Sequence, residues 1–129
     1  MMRAWILFAP FLAASCALAG GGKAGSERAA LDRDLAQRSA GPAETCVPQR
    51  PNQSLRAVDR RTIVYEDGRT LWVNRLEANC PSLRPDSILI VETFANRYCR
   101  NDRVRALEPG ARIPGPICRL GSFTPYRRR

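Results

Sequence analysis

The sequence of 129 residues contains no histidine and a single lysine, Lys23. Without histidine, a Ser–His or Cys–His nucleophile pair has no base. The sequence also has no C-x-x-C motif and no Walker or Rossmann glycine pattern, which are the signatures of thiol oxidoreductases and of nucleotide sites. We therefore predict no catalytic residue, no cofactor and no enzymatic activity.

Five cysteines are present, and one of them stands apart near the N-terminus. Cys46, Cys80, Cys99 and Cys118 lack the close C-x2–4-C spacing typical of zinc sites, so we predict no metal ligand and two disulfides. Four cysteines allow three pairings. We favour Cys80 with Cys99 and Cys46 with Cys118, and next Cys46 with Cys80 and Cys99 with Cys118.

The first 19 residues resemble a bacterial secretory signal. A positive start precedes the apolar run Ala4–Ala19, which is too short to span a bilayer as a permanent helix. Ala17-Leu18-Ala19 is an A-x-A cleavage site that would give a soluble protein beginning at Gly20. Cys16, preceded by small residues, is a lipidation candidate. We expect an exported, periplasmic protein that is either soluble or held at a membrane by a lipid anchor on Cys16. We expect no transmembrane helix in the mature chain.

The mature chain divides into three parts. Residues 20–45 are predicted to be a linker or loosely attached helix, because a helix over Ser26–Arg38 offers only Leu31 and Leu35 as large apolar residues. Residues 46–126 form the predicted β domain, and 127–129 a basic tail. A core this small usually needs disulfides for stability.

Two β-rich runs flank Asp67-Gly68, a strong signal for a two-residue hairpin turn. This turn predicts pairing of Glu66 with Arg69 and of Tyr65 with Thr70. Both faces of the hairpin are apolar: Ile63, Tyr65 and Trp72 lie on one, and Val64, Leu71 and Val73 on the other. A hairpin that is apolar on both faces is expected inside a sandwich or barrel.

Ile88–Val91, continuing to Phe94, predicts a central, well-buried strand, and Ile117–Phe123 predicts a last strand. Short strands separated by turns, with no helix long enough to cover a sheet, predict a mostly β fold. We expect a small, disulfide-linked antiparallel sandwich or partly open barrel of five to six strands.

The formal net charge is +9, carried almost entirely by arginine. The arginines are scattered, and an exported chain is not expected to meet nucleic acid, so no nucleic-acid partner is predicted. The candidate binding surface consists of Trp72, Tyr65 and the terminal arginines Arg127, Arg128 and Arg129.

An alternative function, that of a small hydrolase, would need two turn carboxylates to converge in one pocket. The carboxylates considered are Asp59, Asp67, Asp86, Asp102 and Glu108.

The cysteine spacing and strand pattern resemble those of a family of small exported bacterial proteins known as a domain of unknown function. The shared features are Cys46 opening the domain, Cys-Pro-Ser-Leu-Arg at residues 80–84, Cys99 with Asp102, and a closing Cys-Arg-Leu-Gly-Ser-Phe-Thr-Pro at 118–125. The resemblance covers about residues 46–126 and implies export and paired cysteines, with no activity. The turn after Cys99 is poorer in glycine than in the family pattern.

We therefore expect an accessory binding domain of the bacterial cell envelope that is not an enzyme. Its partner would be an unidentified envelope protein or polymer. An alternative is an arginine-driven binder of an anionic envelope polymer or lipid surface, aided by the basic tail.

Overall fold

The computed structural model describes residues 22–129; the predicted signal peptide and Cys16 lie outside them. Within this range the chain forms one helix and ten strands, which confirms the mostly β prediction. The strands outnumber the predicted five or six because several have only two or three residues. The elements are α1 (Lys23–Ala36), β1 (Arg38–Ala40), β2 (Cys46–Pro48), β3 (Arg56–Ala57), β4 (Thr62–Asp67), β5 (Thr70–Arg75), β6 (Ile88–Val91), β7 (Arg97–Cys99), β8 (Arg103–Leu107), β9 (Cys118–Arg119) and β10 (Phe123–Arg128).

The strands form three antiparallel sheets, which do not close into one barrel. The largest has five strands in the order β1-β10-β5-β4-β3. A second sheet joins β2 to β7, and a third has the order β6-β8-β9. In residues 22–129, no helix combines the length and apolar character needed to cross a membrane.

The β4–β5 hairpin turns at Gly68 and Arg69, one residue later than predicted. Asp67 pairs with Thr70 in the observed register. Gly68 has a φ of 61°, whereas Arg69 is outside the left-handed region, as in a type II′ turn whose first central residue is glycine. Moving the turn by one residue moves each pairing by two, so every side chain keeps its predicted face.

Both faces of this hairpin are buried, as predicted. One face contributes to the main core, which also includes buried side chains of the two smaller sheets. The other face packs beneath α1 and forms a separate cluster. The hairpin residues of the main core are Ile63, Tyr65 and Trp72, and those of the second cluster are Val64, Leu71 and Val73.

The helix α1 is part of the folded domain, in contrast to the linker or loosely attached helix expected for residues 20–45. Leu31 is 5% exposed and packs into the second cluster, with Leu35 partly buried beside it. Two leucines are enough here because the sheet supplies the rest of the apolar surface, and packing rather than propensity stabilises most short helices. The chain after α1 then adds β1 to the sheet beside β10.

The strand β6 is at the edge of the three-stranded sheet, so the prediction of a central, well-buried strand was wrong. Leu89 and Val91 pack against the main core, whereas Ile88 and Ile90 are 56% and 42% exposed. A continuous apolar run suggests burial on both sides, but alternation sends every second side chain outward. In residues 22–129 no element covers that outer side.

Both predicted disulfide pairings were wrong, although all four cysteines are in disulfides. The bonds join Cys46 to Cys99 and Cys80 to Cys118. Cys46 and Cys99 are register partners in the β2–β7 pair, and Cys80 connects the loop after β5 to β9. Which strands become neighbours depends on the whole topology, so spacing along the chain could not select this pairing.

Candidate functional site

The two aromatic residues predicted to offer a binding surface, Tyr65 and Trp72, are core residues. They are 1% and 7% exposed and lie opposite each other in the hairpin. The Tyr65 ring meets Tyr98 edge-to-face at 5.4 Å between centroids. Its hydroxyl accepts a hydrogen bond from the Arg50 amide at 2.9 Å and donates one to the Pro48 carbonyl at 3.2 Å. Burial raises the pKa of Tyr65, which matches its role as a neutral core group.

The three terminal arginines are exposed, but they do not form a free tail. Arg127 and Arg128 belong to β10 and pair with β1. Arg129 donates hydrogen bonds to the Ser39 hydroxyl at 3.2 Å and to the Arg38 carbonyl at 3.4 Å. Their positive charge is therefore held at one edge of the five-stranded sheet.

Asp59 stabilises a turn and fastens the helix to the sheet. Its carboxylate accepts hydrogen bonds from the Arg61 amide at 2.8 Å and from the Arg28 guanidinium of α1 at 2.9 Å. Burial by itself would raise the pKa of Asp59, but these hydrogen bonds outweigh it and lower the pKa. In turn, the bond to Asp59 raises the pKa of Arg28.

The other turn carboxylates each have a different setting. Asp67 pairs with Arg50 at 3.3 Å, and Asp102 accepts the Cys99 amide at 2.8 Å. Asp86 is exposed, and Glu108 is 3.7 Å from Arg84. Across residues 22–129, no three His, Cys, Asp or Glu side chains are grouped to hold a metal ion.

The outer side of the three-stranded sheet carries the most conspicuous exposed apolar surface. Its apolar and cationic side chains alternate with the inward-facing ones along β6, β8 and β9. We call this surface the isoleucine–arginine face. Its members are Ile88, Ile90, Arg103, Arg105, Leu107, Ile117 and Arg119.

The strand register makes the isoleucine–arginine face continuous. Ile88 pairs with Leu107 and Ile90 with Arg105 across β6 and β8. Val104 and Cys118 are partners across β8 and β9, so Ile117, which is 52% exposed, lies beside Arg105.

Two further exposed apolar residues lie in chain segments that adjoin this surface. Alternating exposure continues along the chain after β6 to Phe94, which is 85% exposed. Ile113, 82% exposed, precedes Pro114. The Arg105 guanidinium donates to the Pro114 carbonyl at 3.3 Å and thereby holds this loop beside the face.

The arginines of the face are mostly without carboxylate partners. Arg103 is 3.7 Å from Glu92, and both side chains are at least half exposed. The side-chain hydrogen bonds of Arg105 and Arg119 in residues 22–129 all go to backbone carbonyls. Arg105 donates to Gly115 at 2.9 Å and to Pro114, and Arg119 donates to Asn101 at 3.0 Å. No carboxylate in residues 22–129 is within ion-pair distance of either guanidinium. The face is therefore both apolar and net positive.

The isoleucine–arginine face was not predicted, because a continuous apolar run such as Ile88–Val91 indicates a strand that is buried on both sides. The signal present in the sequence is the alternation of arginine and apolar residues in Arg103–Leu107. With one side of that strand facing the core, its arginines must face outward, and so must their neighbours on β6.

Comparison with protein-family models, curated proteins and solved structures gave no match. The family resemblance suggested by the cysteine pattern therefore stays a prediction.

Proposed function

We propose that this chain is a non-enzymatic accessory binding domain of the bacterial cell envelope, and that it binds an anionic lipid surface through the isoleucine–arginine face. The observation that carries this proposal is a continuous surface of exposed isoleucines next to the guanidinium groups of Arg105 and Arg119, which have no carboxylate within ion-pair distance in residues 22–129. Contiguous exposed apolar surface on a soluble domain usually marks a contact with a partner or a membrane.

The apolar part of the face supplies one contribution to binding. Fully burying an isoleucine side chain is worth about 1.5–3 kcal/mol. Ile90 is 42% exposed, so moving its exposed part into the lipid interface is worth about 1 kcal/mol. Ile88 and Ile117 are slightly more exposed and add comparable amounts.

The cationic part supplies a second contribution. A basic residue close to an anionic leaflet contributes about 1 kcal/mol. Arg105 and Arg119 have no carboxylate to release in the described part of the chain, so they lose no ion pair when they approach lipid headgroups. The net charge of +9 adds a long-range attraction in the same direction.

The cellular setting supports this partner. Two disulfides are consistent with an oxidising, exported environment. A lipid on Cys16 would keep the domain near the bilayer, where several weak contacts are effective because attachment raises their local concentration. Periplasmic location and the lipid anchor are part of the proposal.

Vesicle binding tests the proposal directly. The form beginning at Gly20, which lacks both the acylation site Cys16 and the apolar run Ala4–Ala19, is mixed with vesicles of phosphatidylglycerol and phosphatidylcholine in equal parts, or of phosphatidylcholine alone. We expect sedimentation with the anionic vesicles only, weakening as salt is raised. Arg119→Gln and Ile90→Ser should each lower the partition coefficient about fivefold, which corresponds to about 1 kcal/mol.

Matched variants separate this face from general charge. Arg60→Gln removes an exposed arginine from the turn before β4, and Ile90→Leu keeps the apolar volume; both should bind like the parent. Equal binding to both vesicle types, or equal losses for Arg60→Gln and Arg119→Gln, would show that the face is not a lipid-binding surface. Absence of vesicle binding would leave an envelope protein or polymer as the partner to be sought.

A further inference from the structure

A second candidate site lies on the five-stranded sheet, whereas the isoleucine–arginine face belongs to the three-stranded sheet. A cavity of about 320 Å³ opens on the outer side of β5 and β10, and none of its lining residues belongs to α1. Val73 forms part of its floor, and Arg75, Ser122, Thr124 and Tyr126 lie around it. This volume is in the range of pockets that hold small ligands.

The backbone of Gly121, which lines this cavity, is held by hydrogen bonds to a side chain of β5. The fully buried Asn74 side chain donates to the Gly121 carbonyl at 2.7 Å and accepts the Gly121 amide at 2.8 Å. Gly121 has no room for a side chain, because a Cβ there would overlap the carbonyl oxygen of Arg75. This close approach places Ser122 and Arg75 side by side at the cavity.

The polar groups around the cavity have spare hydrogen-bonding capacity. Within residues 22–129, the hydroxyls of Ser122, Thr124 and Tyr126 make no hydrogen bond to another protein group. In the same range, no carboxylate is within ion-pair distance of the Arg75 guanidinium. One unpaired cation and three hydroxyls thus converge on one small space.

The other two charged residues that line the cavity neutralise each other. Arg100 and Glu77 also line the cavity and form an ion pair with each other. Arg75 therefore gives the cavity a net positive charge, which favours a ligand with a single negative charge. The partly buried ring of Tyr126 offers an apolar surface beside the polar groups.

We propose that this cavity binds a sugar acid of the hexuronate type. A carboxylate fits the fork of the Arg75 guanidinium, which can donate two parallel hydrogen bonds. Ring hydroxyls can exchange hydrogen bonds with Ser122 and Thr124, and the C–H face of the sugar can rest on Tyr126. The ligand is either a free sugar acid or a uronate unit of an acidic envelope polysaccharide, since both present the same group.

Titration of the nitrogen-labelled protein followed by its amide NMR spectrum tests the proposal. The probes are galacturonate, its trimer and the neutral sugar galactose. We expect galacturonate to shift the amides of Gly121, Ser122 and Thr124 saturably. Galactose should bind about tenfold more weakly or worse, because a hydrogen bond to a charged group is lost. Tighter binding of the trimer than of the monomer would identify the ligand as a uronate unit of a polysaccharide. Equal binding of the two would identify it as a free sugar acid.

Two arginine variants provide the contrast. Arg75→Gln should weaken galacturonate binding about tenfold, whereas Arg69→Gln should not. Arg69 lies beyond the other end of β5 and, like Arg75, has no carboxylate within ion-pair distance in residues 22–129. Thr124→Val, which keeps the shape and removes a hydroxyl, should weaken binding while leaving the spectrum folded. No saturable shift with galacturonate, equal affinity for galactose, or equal losses for the two arginine variants would overturn the proposal.

Discussion

Asn74 offers a sharp test of how the five-stranded sheet is held to the segment before β10. Its side chain is fully buried and forms two hydrogen bonds with the backbone of Gly121, at 2.7 and 2.8 Å. Gly121 is 47 residues away along the chain, so these bonds join distant segments. Asn74→Ala would leave a buried N–H and a buried C=O without partners.

The expected loss follows from those two groups. A buried backbone group without a hydrogen-bond partner costs about 1–3 kcal/mol. We therefore expect Asn74→Ala to lower the free energy of unfolding by about 2–5 kcal/mol, including some recovery by water. A domain of this size has about 5–15 kcal/mol of stability, so the variant should still fold with its disulfides intact.

Asn74→Asp should make the free energy of unfolding depend on pH in a defined direction. An ionised aspartate keeps an acceptor for the Gly121 amide but directs a second anionic oxygen at the Gly121 carbonyl. Burial and this repulsion raise the folded pKa of the new carboxyl above its unfolded value. Its penalty is therefore absent below the unfolded pKa and grows as pH rises towards the folded pKa.

Urea denaturation of oxidised protein, followed by circular dichroism, measures both effects against wild type at each pH. Asn74→Asp should be close to wild type in acid and much less stable at neutral pH. A loss below about 0.5 kcal/mol for Asn74→Ala, or a pH-independent difference for Asn74→Asp, would refute the proposed role of these two hydrogen bonds.

Three further predictions concern the helix, a turn and the disulfides. Leu31→Ala should lower the free energy of unfolding by about 2–3 kcal/mol in the same urea assay and speed amide exchange in α1, because Leu31 anchors the helix. Asp59→Asn should cost about 1 kcal/mol at neutral pH, and the difference should vanish in acid: the pKa of Asp59 is lowered on folding, so its stabilisation is lost as pH falls through the folded value. Unchanged destabilisation in acid would contradict the role of the Arg28 bond. Mass spectrometry of unreduced peptides should recover Cys46 linked to Cys99; a Cys46 peptide linked to any other cysteine would contradict the topology.

The local signals in the sequence were sufficient for much of the fold. The hairpin and the two apolar faces of its strands follow from period-two alternation around an Asp-Gly pair, and both faces are indeed buried. The predicted turn was one residue too early because an Asp-Gly pair fits two turn types. Asp67 and Gly68 can be the two central residues of a type I′ turn, or Gly68 can be the first central residue of a type II′ turn, as observed.

The candidate sites depended on long-range packing. Tyr65 and Trp72 could have been surface or core, and the decision came from the two small sheets that close over that face. Whether Ile90 is covered depends equally on what lies across the sheet, which alternation cannot specify. The cavity beside Arg75 exists because β10 returns from the end of the chain to lie next to β5.

By itself, the sequence determined that the chain is mostly β, that its four later cysteines are paired, and which side chains share a face of the hairpin. These properties depend on backbone preferences and periodicity within a few residues. Only the tertiary structure decided that Cys46 bonds to Cys99, that α1 covers the second cluster, and that Ile88 and Ile90 are exposed. Each of these depends on contacts between segments far apart in the chain, and such contacts arise from the collective packing of all the sheets.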